Sequence, residues 1–172
     1  ILNGKELIKK TFETIKKIKK TNKFVLTNDD EIKKIARKYN VNDTYIRKQI
    51  LSGDKSQLIE TIKDFFISMR LNKDFNYVVI LQPTSPLRNF NDIIKAIIRF
   101  KKKKYSSLYS ISPSIEHPNE TIYFKNKKIK YFVNQKKNLR QNYKESFYIN
   151  GAIYITEKEN IFKGNIINEK NH

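Results

Sequence analysis

Val78-Val79-Ile80-Leu81-Gln82-Pro83-Thr84-Ser85-Pro86-Leu87-Arg88 is the stretch on which the fold turns. Val78 to Leu81 is an unbroken apolar run of mostly β-branched residues, the pattern of a strand covered on both faces and of a parallel sheet. Two prolines then follow within four residues, and neither can join a sheet ladder or a helix interior. The strand must therefore stop at Gln82. In an open α/β sheet the crevice beyond the carboxyl ends of the strands receives ligands, so a rigid polar loop there is a candidate site. A plain turn is the alternative reading of Pro-Thr-Ser-Pro.

On either side, strand and helix patterns alternate. Leu7, Ile8, Phe12, Ile15 and Ile18 recur at helical spacing and predict an amphipathic helix to about Lys20, after an Asn3-Gly4-Lys5 turn. Phe24-Val25-Leu26 reads as a short strand. Asp30 is the expected cap of a helix over 31–39, and 41–46 offers a polar edge strand. Ser52-Gly53-Asp54 signals a turn, and Ser56 opens a helix whose apolar face is Leu58, Ile59, Ile62, Phe65, Phe66 and Met69. Beyond the Gln82 loop, Asn91 or Asn89 caps a helix carrying Ile93, Ile94, Ile97 and Ile98. Further strands are expected over 108–112 and 152–155. Two apolar and aromatic runs flanking Lys125-Asn126-Lys127 predict a hairpin outside the parallel sheet. The alternation predicts a single α/β domain over residues 1–172, three-layered with a mainly parallel sheet.

Composition narrows the function. The chain has 172 residues, no cysteine and a formal net charge of +19. The absence of cysteine excludes disulfides and thiolate metal sites. No apolar run approaches a membrane span and no signal-peptide pattern occurs, so a soluble, cytoplasmic protein is expected. The positive excess is nearly all lysine, dispersed along helices in clusters such as Lys16-Lys17 and Lys101 to Lys104. That pattern suits solvated faces better than a nucleic-acid groove, although the field attracts an anionic small substrate.

Gln82-Pro83-Thr84-Ser85-Pro86-Leu87-Arg88, followed by Asn150-Gly151-Ala152-Ile153-Tyr154-Ile155, resembles two motifs of the CMP-sialic acid synthetases, the acylneuraminate cytidylyltransferases. The match runs from the first residues to about Ile155. It implies a nucleotide-diphospho-sugar-transferase-like fold with a protruding hairpin. It also implies an enzyme that joins CMP from CTP to an acidic nine-carbon sugar, such as sialic, legionaminic or pseudaminic acid, with Mg²⁺ and release of pyrophosphate. Chemistry of this kind proceeds by positioning and by cations that neutralise developing charge. In a lysine-dominated chain the arginines therefore stand out, because their planar fork binds phosphate and carboxylate bidentately.

Carried over residue by residue, Arg140 takes the place of the arginine assigned to catalysis, with Gln141 beside it. Arg47 matches an arginine set against the nucleotide, and Ser56 is the choice for a nucleotide-binding serine, although Lys48 and Gln57-Leu58 depart from the motif. Gln82 matches the sugar-contacting glutamine. Thr84, Ser85 and Arg88 supply further hydrogen bonds, and Asn150 meets substrate at the mouth of the last strand. Tyr148-Ile149 replace an arginine and proline of the motif, which puts the acceptor-carboxylate contact in doubt. His117-Pro118 matches a family pair near the acceptor, and a lone histidine is no zinc site.

Two family features have no counterpart in the chain: a basic triphosphate loop before Asn3-Gly4-Lys5, and an Asp-x-Asp pair that holds magnesium. The resemblance thus describes a fragment short at both ends, marginally stable and inactive alone, with metal ligands elsewhere. Family members dimerise, and the hairpin is the expected contact. A relative acting on the eight-carbon acid Kdo is a nearby enzyme alternative. A non-catalytic basic binding protein, either a degenerate family member or a nucleic-acid module, is the alternative from another class.

Overall fold

The structure is a computed structural model that describes residues 6–53, 56–71, 75–133 and 140–168. The expected turns at Asn3-Gly4-Lys5 and Asp54 lie outside these residues. The described chain falls into two compact units. The larger contains the residues up to Tyr109 and those from Gly151 on, and the smaller is Ser110–Asn150.

In the larger unit, α1 (Leu7–Lys16) stops short of the expected Lys20, which itself takes a left-handed φ of 55°. Helix α2 (Asp30–Lys38) is capped by Asp29, whose Oδ1 accepts from the amides of Glu31 and Ile32. The cap is one residue earlier than expected, because Asp29 has the extended backbone a cap needs and Asp30 is already helical. Helix α3 (Leu58–Ser68) presents Ile59, Ile62, Phe65 and Phe66 inward, and β1 (Tyr77–Ile80) follows. Helix α4 (Phe90–Lys103) begins at Asn89 with a full capping box: Asn89 Oδ1 accepts from the Asp92 amide, and Asp92 returns the contact. Its lysine-rich last turn suits the negative end of the helix dipole.

The sheet corrects the parallel expectation. It is three-stranded in the order β1-β5-β2, with β2 at Ser107–Pro113 and β5 at Phe147–Glu157. Strand β5 runs antiparallel to β1, pairing Tyr77 with Glu157 and Ile80 with Tyr154. An apolar strand buried on both faces reads the same in either direction, so its sequence carries no signal of its sense. Parallel pairing occurs among the described residues as two isolated bridges, Phe24 with Asn42 and Thr27 with Ile46. Strand β5 is also much longer than the expected run over 152–155, and it leads into the five-residue α5 (Lys158–Phe162).

Three apolar clusters hold the larger unit together. One joins Phe65, Phe66 and Tyr45 to Ile161 of α5. A second joins α1 to α2 through Phe12 and Ala36. The third packs Ile93 and Phe100 of α4 against Ile153 and Ile155 of β5. This last cluster fixes the strand pair from which the Gln82 loop and Gly151 project.

In the smaller unit, β3 (Ile122–Lys125) and β4 (Lys128–Tyr131) pair antiparallel around Asn126-Lys127, both of which have positive φ. All eight strand residues are exposed. No helix among the described residues is long and apolar enough to cross a membrane.

Candidate functional site

The loop after β1 is two consecutive β-turns. The Ser85 amide donates to the Gln82 carbonyl at 3.5 Å, and the Arg88 amide donates to the Ser85 carbonyl at 3.4 Å. Pro83 and Pro86 each occupy the second position of a turn, where a fixed φ near −65° is favourable. The prolines thus do more than end the strand. They set the path that returns Arg88 beneath Gln82.

Arg88 is buried, at 8% exposure. Its Nη1 donates to the Gln82 carbonyl at 3.1 Å and to the Ala152 carbonyl, and its Nη2 donates to Thr11 Oγ1 at 3.1 Å. Burial pushes the guanidinium down from its usual range. On the facing strand, Gly151 has φ +72°, and a Cβ built there would stand 2.9 Å from Gln82 Oε1. Glycine takes that backbone without steric cost, and any Cβ there would have to displace the Gln82 amide. Gln82 and Ser85 are half-buried and Thr84 is exposed, so their polar groups line an accessible lip.

A second group in the same unit is Arg47 with Ser56. Arg47 Nη2 donates to Ser56 Oγ at 3.3 Å, and that hydroxyl donates to the Leu51 carbonyl at 2.6 Å. Two residues expected from the same short stretch of sequence thus meet. The three-residue 3-10 turn Gln49–Leu51 brings the chain round between them. The Arg47 Nε is buried without a hydrogen-bond partner among the described residues. Nearby, Asp64 accepts from the Tyr45 hydroxyl and from Lys48. Desolvation opposes the charge on Asp64, but these hydrogen bonds outweigh it and hold the carboxyl below its ordinary range.

Arg140, Gln141 and Asn150 belong to the smaller unit. Arg140 and Gln141 open a 3-10 turn, Arg140–Asn142, and both are exposed. Arg140 Nη2 lies 3.2 Å from Glu120 Oε2. A cavity of about 410 Å³ is lined by Arg140, His117, Tyr143 and Lys144 among others. His117 stacks on Tyr143 with centroids 4.5 Å apart. Its Nδ1 accepts from the Asn119 amide, which leaves Nε2 to donate to the Lys144 carbonyl. A cavity of about 450 Å³ between α1 and α2, lined by Lys9, Glu13, Lys38 and Tyr39, brings together no residue expected in the site.

Asn150 is held on both sides of its amide. Ser110 Oγ donates to Oδ1 at 2.6 Å, and Nδ2 donates to Ser112 Oγ at 2.8 Å. The two serines were legible in principle, since alternate residues of a strand share a face. Thr11 and Glu120, the partners of Arg88 and Arg140, carry no such signal because they approach from remote segments. Among the described residues there is no group of three or more acidic, histidine or cysteine side chains that could hold a metal.

Comparison with known proteins bears on what these groups serve. The model of a cytidylyltransferase family matches residues 1–170. An N-acylneuraminate cytidylyltransferase of Streptococcus agalactiae is 30% identical over 138 residues, 79% of this chain and 32% of the relative. A CMP-N,N'-diacetyllegionaminic acid synthase of Legionella pneumophila is 27% identical over 167 residues, 95% of this chain and 72% of the relative. A pseudaminic acid cytidylyltransferase of Campylobacter jejuni is 25% identical over 171 residues, 93% and 73%. The chain spans about a third of the streptococcal relative. With the family model matched along almost its whole length and the Gln82 loop seated against Gly151, the chain belongs to the cytidylyltransferase family.

Proposed function

We propose that the protein containing this chain transfers CMP from CTP to an acidic nine-carbon sugar of the nonulosonate class, releasing pyrophosphate. An acceptor hydroxyl forms the new bond to the α-phosphorus, the bond to pyrophosphate breaks, and the hydroxyl proton is lost to solvent. The observation that carries the reading is the Gln82 amide lying against Gly151 at the end of the β1–β5 pair. An oriented amide offers both a donor and an acceptor to a polyhydroxylated ligand. The three relatives named above, whose names specify acids of this class, support it.

In this reading Arg140 is the catalytic cation, and Arg47 and Ser56 face the nucleotide. Gln82, Thr84, Ser85, Gln141 and Asn150 supply polar contacts. Magnesium, implied by the resemblance, would be held by carboxylates other than those described. The chain forms part of a cytoplasmic homodimer. The apolar side chains exposed on β3, β4 and the following Phe132 and Val133 form the contact between copies.

The test is pyrophosphate release from CTP by the full-length protein with N-acetylneuraminic, legionaminic and pseudaminic acids in turn, and with Kdo. Arg140→Ala is the control. Release with one acid, lost in the control, supports the reading and names the acceptor. Absence of release with all of them overturns it.

One observation favours a second reading, a basic binding module. Lys125, Lys127, Lys128 and Lys130 share the hairpin with exposed Tyr123, Phe124 and Tyr131. Basic residues interleaved with aromatics suit single-stranded nucleic acid. Salt-sensitive binding of an oligonucleotide, without CTP turnover, is its expected signature.

A further inference from the structure

Among the described residues Arg88 is the charged side chain that the fold buries, at 8% exposure. No carboxylate stands within ion-pair distance of it there, and desolvation is the influence acting on its charge. A buried cation is costly unless its donors are satisfied. Arg88 meets that demand at its two terminal nitrogens with main-chain carbonyls and a hydroxyl, drawn from three segments remote in sequence: Gln82 after β1, Ala152 in β5 and Thr11 in α1, while its Nε is buried without a hydrogen-bond partner among the described residues. A guanidinium can do this because its five N–H groups form a rigid planar fork. An ammonium is a compact point charge on a flexible stem.

The acceptors matter more than the burial. The Gln82 carbonyl takes both the Ser85 amide and Arg88 Nη1, so the peptide after Gln82 is fixed from two directions. The Ala152 carbonyl, one residue after Gly151, is tied to the same nitrogen. Continued by two residues, the β1–β5 register sets Gln82 opposite Ala152. One guanidinium group therefore holds both sides of the notch in which the Gln82 amide lies.

We infer that Arg88 is a positioning residue: it locks the Gln82 peptide to Ala152 so that the Gln82 amide is held over Gly151 in the orientation that receives the acceptor sugar. The identity of that ligand rests on the cytidylyltransferase reading above. The positioning itself does not.

The test uses the full-length protein with Arg88→Met, Arg88→Lys, Arg88→Ala and Thr11→Val. Pyrophosphate release gives kcat and KM for CTP and for the sugar acid separately. The side-chain amide resonance of Gln82, identified by its loss in Gln82→Glu, reports the notch without any turnover. Arg88→Met and Arg88→Lys are expected to lower kcat/KM for the sugar acid about 100-fold, the scale of a small misplacement of a reacting group. KM for CTP should stay unchanged, and the Gln82 amide should move toward the signal of an exposed glutamine. Guanidinium ion at sub-denaturing concentration should restore Arg88→Ala, and methylammonium should not. Thr11→Val, which keeps Arg88, should shift the same readouts less. If Arg88→Met does not fold, Thr11→Val and the guanidinium rescue decide the matter.

A proportional loss for CTP and sugar, with no rescue and an unmoved Gln82 resonance, would leave Arg88 a purely structural residue and overturn the inference. If the wild type releases no pyrophosphate with any acid, the cytidylyltransferase reading fails. The Gln82 resonance in the same variants then still confirms or overturns the positioning.

Discussion

The two units of this chain solve opposite problems. The larger buries three apolar clusters, with Phe66 at 1% exposure and Ile93, Ile155 and Ile161 at 0%. In Ser110–Asn150 no described residue is fully buried, while Ile115, Phe124 and Phe132 stand 90%, 73% and 67% exposed. A two-stranded hairpin without a covered face is marginally stable in water. The difference teaches that the same apolar side chains stabilise the fold in one unit and offer a surface in the other. The sharpest way to break that contrast is a pair of aromatic truncations. Phe66→Ala should cost about 3–5 kcal/mol, since the ring packs against Phe65, Phe75 and Phe162. Phe124→Ser should change stability by no more than about 0.5 kcal/mol but weaken self-association. Urea denaturation and sedimentation measure the two. A large stability loss at Phe124 would show that the hairpin is covered within the monomer.

Gly151 tests where the two regimes meet in sequence. Alanine there is strained by the φ of +72°, at a cost of about 1–2 kcal/mol. Its Cβ would also have to displace Gln82 Oε1, the movable end of a flexible side chain. Gly151→Ala should therefore lower the melting temperature moderately and reduce activity with the sugar acid disproportionately. If the two losses scale together, the notch has no functional role. Asn89→Ala, in contrast, removes one half of the capping box that opens α4. It should cost about 1 kcal/mol without a loss larger for the sugar acid than for CTP, and Asn89→Asp should retain the stability.

Those contrasts show which physical signals a sequence carries. The helix faces, an asparagine cap at 89 or 91 and the proline-bounded end of β1 were legible because each depends on neighbours within a few residues. Strand direction was not, because Ala152, Ile153 and Ile155 are apolar whichever way β5 runs. The adjacent aspartates 29 and 30 could not be told apart before their backbone angles were known. Arg88 was harder still: charge argues for exposure, and nothing local to residue 88 announces carbonyls at 82 and 152 or a hydroxyl at 11. The meeting of Arg47 with Ser56 and the serines around Asn150 were half-legible, since they lie on short turns and alternate strand positions.

The smallest expected effect on stability falls on the pair Arg140 and Glu120. Their side chains are 76% and 31% exposed, so the 3.2 Å contact is screened by solvent. Glu120→Gln should alter unfolding free energy by about 0–1 kcal/mol, the range of surface ion pairs. Its kinetic effect is informative out of proportion to that figure. If Arg140 serves an anionic substrate, Glu120 competes for the same guanidinium, and its neutralisation should lower KM for CTP or for the sugar acid. If Glu120 instead orients Arg140, the same change should lower kcat and leave KM in place. Steady-state kinetics with both substrates varied separates the two, and the ionic-strength dependence supplies a check. A competing charge should matter less as salt rises, whereas a lost orientation should cost the same at every salt concentration.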